Sequence, residues 1–289
     1  MLLLDTLLKT EGIDPRQVLA MRHRPTEPAL RRALPWIIAE RPDLFLAYQQ
    51  FQWPAAERMM TKAKVLASFV GQAPGFATFA GLHAINGAEP CSYDEYWAMQ
   101  ENQDLAKLGM TGRLPGSPDL LKFELEPIPA YADWIGKLVV AWPPLDRAWL
   151  RWADRNVMPV AAIHEESAFA RSMPAWESLI LTWAELGILP RSWRAALAEW
   201  RGVYFIFDQA KRGGYVGSAS GAENILGRWT SYAATGHGGN KGLRDSKPAD
   251  LLFSILQRTS PDMAPPSVVA LEDRWKDRLH TRAFGLNEN

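Results

Sequence analysis

Gly202–Arg244 reads GVYFIFDQAKRGGYVGSASGAENILGRWTSYAATGHGGNKGLR, and the order of its parts decides the fold of the C-terminal third of the chain. Val203-Tyr204-Phe205-Ile206-Phe207 is an unbroken β-branched and aromatic run of strand composition. Lys211-Arg212-Gly213-Gly214 is a polar, glycine-bearing connection, and Tyr215-Val216-Gly217 opens a second strand. The pair is expected to form an antiparallel hairpin that brings Tyr204 and Tyr215 near each other. From Ala222 to Ala233, the residues Ile225, Leu226, Trp229 and Ala233 recur at helical spacing, which sets Arg228 and Tyr232 one turn apart on an adjoining face. Three tyrosines and an arginine therefore gather at one end of a hairpin and helix.

This order of residues resembles the GIY-YIG endonucleases. Gly202-Val203-Tyr204 stands at the family's first triplet and Tyr215-Val216-Gly217 at its second; Arg228 stands at its arginine and Tyr232 at a position filled by tyrosine or histidine. Further on, Ala270-Leu271-Glu272-Asp273-Arg274-Trp275-Lys276 resembles the helix whose glutamate binds a divalent metal, and Asn287 resembles the asparagine near the end of the domain. The resemblance spans residues 201–289 and departs from the family at Ser218, where many members carry lysine. That lysine's role is then either absent or supplied from elsewhere, for instance by Lys241.

The resemblance implies a metal-dependent endonuclease that hydrolyses phosphodiester bonds in DNA. In it Glu272 holds Mg²⁺ or Mn²⁺, Arg228 neutralises the non-bridging phosphate oxygens, and Tyr215 and Tyr232 shape a proton path. Tyr204 is then either the general base or the group that positions the water. An unperturbed tyrosine titrates near ~10, so it acts as a base only where the metal or Arg228 favours the phenolate. In the glycine-rich loop after the arginine helix, His237 is a candidate for the scissile phosphate or for a helix cap, and Lys241 and Arg244 are candidate nucleic-acid contacts. The rival reading is a catalytically silent nucleic-acid-binding or adaptor protein that uses the same fold.

Around this domain, 289 residues with 47% hydrophobic and 22% charged side chains are globular in composition and suffice for two domains. The expected class is α+β: a small antiparallel sheet flanked by helices over 196–289, after a larger mixed α/β domain over 1–195 that selects the substrate. The formal charge is zero, but residues 200–289 hold 12 Lys and Arg against 9 Asp and Glu, a mild surplus that suits a nucleic-acid partner. One cysteine, Cys91, excludes an intrachain disulfide framework and a multi-cysteine zinc site. The apolar start Met1–Leu4 is broken by Asp5, Lys9 and Glu11, so neither a secretory segment nor a membrane span is expected, and the expected location is the cytoplasm. No GxxxxGKS cradle and no GxGxxG after a strand occurs, so no nucleotide cofactor is expected. His164-Glu165-Glu166 lacks the HExxH spacing that turns two imidazoles to one helix face.

Residues 2–52 read as helices punctuated by Pro15, Pro28 and Pro42, with a basic cluster at Arg22-His23-Arg24 and Arg31-Arg32 that reads as a solvated face or a phosphate contact. Val65–Gly71 and Phe76–Leu82 form a hairpin, and Leu121–Leu125, Lys137–Trp142 and Val160–Ile163 add candidate strands to an antiparallel sheet or small barrel. Its aromatics (Tyr96, Trp142 and Trp149 among them) read first as core and second as a stacking pocket for a flipped or modified base. A last helix over Val268–Leu279 is expected to bury Leu271, Trp275 and Leu279, with Glu272 beside that stripe.

Overall fold

The computed structural model describes residues 1–144, 148–170, 173–221, 224–235, 237–238 and 240–288. Ala222, where the arginine helix was expected to begin, lies outside the described residues, as does the side chain of Ala233. The chain divides into two compact units, Met1–Arg171 and Ser172–Asn289. The division falls ahead of the expected one at 195 because a short strand at 180–182 pairs into the sheet of the second unit, and a helix over 191–199 packs on the arginine helix.

The first unit is a curled, mixed sheet with helices. Its strands are β1 (Val18–His23), β2 (Val65–Val70), β3 (Phe76–Cys91), β4 (Leu120–Ile128), β5 (Leu138–Ala141), β6 (Leu150–Trp152) and β7 (Val160–Ile163). The helices are α1 (Leu4–Thr10), α2 (Pro28–Glu40), α3 (Pro42–Gln50), α4 (Pro54–Met60), α5 (Tyr93–Ala98) and α6 (Gln100–Lys107). The strand path is β6-β1-β2-β3-β5-β7, with β4 also paired to β3. The expected β2–β3 hairpin is present, and β4, β5 and β7 stand where candidate strands were read. The sheet is mostly antiparallel, with β1 and β2 as its parallel pair. One expectation is corrected: residues 18–23 are a strand within a region read as helical. The cause is burial on both faces: Val18 and Ala20 join one apolar cluster with Phe69, Phe79 and Leu138, while Leu19 and Met21 join another with Leu66 and Phe123. A strand covered on both sides shows a continuous apolar run rather than an alternation, and a short run of that kind has no distinctive period.

Between α3 and the sheet lies a buried polar group. His23 Nε2 is 3.3 Å from Gln49 Oε1, and Ser68 Oγ donates to the same oxygen. His83 sits across Phe45 from His23, with ring centroids 6.3 and 5.5 Å from that phenyl ring. Burial pushes both imidazoles down to about 4; at His23 the hydrogen bond with Gln49 opposes the shift and the nearby His83 adds to it. The folded chain therefore binds fewer protons than the unfolded chain between the ordinary value of 6.5 and about 4, so stability is lost as pH falls through that window. Each unit of pKa difference corresponds to about 1.4 kcal/mol. The expected result is a melting temperature that drops steeply between pH 6.5 and 4, with a shallower slope in His83→Leu.

The second unit holds a separate four-stranded antiparallel sheet, ordered β10-β9-β11-β8, from β8 (Ile180–Thr182), β9 (Arg201–Asp208), β10 (Gly213–Ala219) and β11 (Leu251–Thr259). Its helices are α7 (Trp183–Leu186), α8 (Arg191–Glu199), α9 (Asn224–Thr235), α10 (Pro265–Arg278) and α11 (Thr281–Phe284). The β9–β10 hairpin is the one read from the sequence, in a register that sets Gly217 opposite Tyr204 and Tyr215 opposite Ile206. α9 lays Ile225, Leu226, Trp229 and Tyr232, all buried, toward the sheet, where Trp229 meets Phe253 of β11 at 5.7 Å between centroids.

Candidate functional site

Alternation along β9 and β10 puts Tyr204, Tyr215 and Gly217 on one face of the hairpin, and α9 brings Arg228 and Tyr232 to that face. The rings of Tyr204 and Tyr215 lie 6.1 and 6.2 Å from that of Tyr232. Only glycine fits opposite Tyr204, because a Cβ at position 217 would overlap the phenol oxygen. We therefore expect Gly217→Ala to displace the Tyr204 ring and lower the melting temperature by several degrees, measured by calorimetry against Gly221→Ala, where a Cβ meets open space.

The hydroxyls form one network. Tyr215 Oη donates to Asn240 Oδ1 at 2.9 Å, and Asn240 Nδ2 donates to Tyr232 Oη. Tyr232 Oη lies 3.0 Å from Tyr204 Oη, a hydrogen bond that either hydroxyl can donate. Arg228 Nε also donates to Tyr204 Oη, at 3.4 Å, and its guanidinium lies 5.7 Å over the Tyr232 ring. Arg228 and Tyr232 thus meet at the Tyr204 oxygen.

Burial sets the protonation of this group. Desolvation raises the pKa of Tyr204 and Arg228 opposes that, while the charge of Glu272 adds to the rise. Tyr215 is pushed up to about 12, chiefly by burial, and Tyr232 is raised further by burial and its two phenol neighbours. All three are neutral phenols at neutral pH. Arg228, half-buried, is held in its charged form by the surrounding phenol oxygens.

α10 supplies the carboxylate. Its inward stripe differs from the expected one: Leu279 is 40% exposed, and the buried positions are Val268 and Lys276, with Glu272 midway between them. Lys276 Nζ contacts Glu272 Oε1 at 2.8 Å and Asp273 Oδ1 at 3.6 Å, with the lysine side chain 3% and the Glu272 side chain 13% exposed. Leu271 and Trp275 are half-buried, with Trp275 Nε1 donating to Gln257 Oε1 at 2.9 Å, while the stem of Lys276 packs like an apolar chain because its head is neutralised. The charge of Glu272 raises the pKa of both Tyr204 and Tyr215, after burial as the main cause. Among the described residues no three His, Cys, Asp or Glu side chains cluster. The donor set is one carboxylate, which fits a hard divalent cation that keeps water and phosphate oxygens as its other ligands.

The remaining predicted residues part company. Asn287 lies at the outer edge of β10, where its Oδ1 accepts from Val216 N and its Nδ2 donates to Val216 O, each at 2.9 Å. With Leu286 N donating to Gly214 O, it closes the free edge of that strand, so its carboxamide is engaged with backbone rather than aimed at a reactant. In the loop after α9, the backbone amide of His237 takes Thr235 Oγ1, and the residue that reaches the tyrosines is Asn240, which sequence reasoning passed over. Residues 236 and 239 of that loop are outside the described residues. Lys241 and Arg244 are exposed on the short turn that follows. Comparison with known families, curated proteins and solved structures finds no match to this chain. Among the described residues no helix is long and apolar enough to cross a membrane.

Proposed function

We propose that the second unit is a metal-dependent endonuclease domain of GIY-YIG type, acting on DNA, with substrate selection in the first unit. The observation that carries this reading is the meeting of Tyr232 and Arg228, both from α9, at the phenol oxygen of Tyr204 on β9, with the charge of Glu272 on α10 acting on the same phenol. Phosphodiester hydrolysis joins a water oxygen to phosphorus and breaks the bond to the leaving oxygen, which needs an oriented water and a counter-charge for the crowded phosphate. Arg228 supplies the charge in a planar fork suited to phosphate oxygens. Glu272 would hold Mg²⁺ or Mn²⁺, which when bound polarises the phosphate and acidifies its water.

Tyr204 orients the water as a neutral phenol in this reading, since burial holds its proton on. While Arg228 rests on the Tyr204 oxygen the phenol fixes the guanidinium; once the guanidinium turns to phosphate, the hydroxyl is left to hydrogen-bond the water. Asn240 bridges Tyr215 and Tyr232 and so keeps the two phenols in register. Asn287 serves by holding β10, and with it Tyr215, in place. Exposed Lys241 and Arg244 contact the flanking strand. Phosphate contacts of this kind position a strand without reading its sequence. The test is incubation of the full chain with linear, single-stranded and base-modified DNA, with Mg²⁺, Mn²⁺ or a chelator. Metal-dependent cleavage of any of them supports the reading, and DNA binding without cleavage under every condition replaces it with the silent binding protein.

A further inference from the structure

The first unit contains a cavity of about 910 Å³, a size that suits one small organic ligand. It opens beside the C-terminal end of β1, where Arg22, His23 and Arg24 line it. Tyr48, Phe51, Tyr96 and Trp149 line its walls, and Phe51 and Tyr96 are locked edge to face with centroids 4.9 Å apart. Trp53, 70% exposed, stands at the opening as a large flat surface turned to water. Its indole face offers a stacking platform to a planar ligand.

Charge in the cavity is fixed as well. Arg22, 2% exposed, lines it with its guanidinium 5.0 Å over the Trp142 ring, and exposed Arg24 stands two residues further along the chain. Arg113 completes the set, although Nη1 and Nη2 are tied to the carbonyls of Cys91, Ser117 and Pro118 and serve to shape the wall. Glu27 is the acidic side chain of the lining, set against these three arginines. Aromatic walls beside guanidinium groups match a ligand with a flat π-face and an anionic group. We infer that this cavity receives one nucleotide, its base stacked among the aromatic walls and its phosphate on Arg22 and Arg24.

The nucleotide comes either free or as an unstacked residue of a DNA strand; the second source rests on the nuclease reading, while the ligand chemistry does not. The test is equilibrium binding to the full chain in chelator, followed by tryptophan fluorescence, with deoxynucleoside 5′-monophosphates in one arm and a single-stranded oligonucleotide in the other. We expect binding in at least one arm, weakened about tenfold by Trp53→Ala, in keeping with the loss of one stacking platform, and weakened also by Arg24→Ala. Both side chains are exposed, and thermal melts of the two variants check that they fold. Tighter binding of the oligonucleotide assigns the strand as source, and equal or tighter binding of the monophosphate assigns the free nucleotide. Absence of binding in both arms, or binding indifferent to both variants, overturns the inference. Cavity binding in a chain that never cleaves DNA leaves the inference standing and removes the nuclease reading alone.

Discussion

Glu272→Gln is expected to abolish metal-dependent cleavage and to lower the melting temperature at the same time. The first effect follows from losing the carboxylate that the proposed reading assigns to the cation. The second follows from Lys276, which is 3% exposed and loses its contact with Glu272 at 2.8 Å, keeping Asp273 at 3.6 Å. Weakening a buried ion pair in this way costs up to about 3 kcal/mol. The two effects separate in the double variant Glu272→Gln/Lys276→Met, which removes the buried charge while keeping the packed stem. Its melting temperature should recover toward that of the parent, and its cleavage should remain absent. If cleavage recovers together with stability, Glu272 is only a structural partner of Lys276.

Arg228→Ala carries the next largest effect, a fall in cleavage rate of about a hundredfold to a thousandfold, as expected for removing one preorganised donor from a developing charge. Because Arg228 also meets phosphate in the bound state, the slope of DNA affinity against salt should fall by about one counterion. Tyr204→Phe should leave that slope alone, since it deletes the hydroxyl and keeps the ring packed against Trp229 and Tyr232. Thermal melts run beside both assays exclude loss of folded protein as the cause. Equal losses of activity and of folded fraction would return Tyr204 and Arg228 to a purely structural role.

The hairpin and the arginine helix were legible because their residues obey local rules. Val203–Phe207 has strand composition, a polar connection follows it, and Ile225, Leu226 and Trp229 repeat at helical spacing. The turn itself falls at 209–212, ahead of the expected Lys211–Gly214, because Gly213 and Gly214 already pair with Asp208 and Phe207. What escaped depends on distant partners. Residues 251–256 are apolar enough to be a strand, yet only their pairing with β9 and β8 makes β11 the centre of the second sheet. Lys276 reads as a solvated helix residue until Glu272, one turn earlier, is seen to neutralise it in the interior. Asn240 sits among glycines that draw attention to His237, and its value as a bridge appears only when Tyr215 and Tyr232 are brought to its two polar ends. The cavity of the first unit is beyond periodicity altogether, since its lining is gathered from residues 22 to 149. Asn287 shows the converse: a matched motif position whose work is to cap a strand edge.

In the proposed reading the phenol, guanidinium and carboxylate of the second unit form a metal-dependent phosphodiesterase site. The time course of nicking of supercoiled DNA by the full chain and by Glu272→Gln/Lys276→Met, each with Mg²⁺ and with chelator, tests it. Nicked circles are expected from the parent chain with Mg²⁺ alone and from none of the other three reactions. Nicking that persists in chelator, or equal nicking by the double variant, would overturn the metal-dependent site.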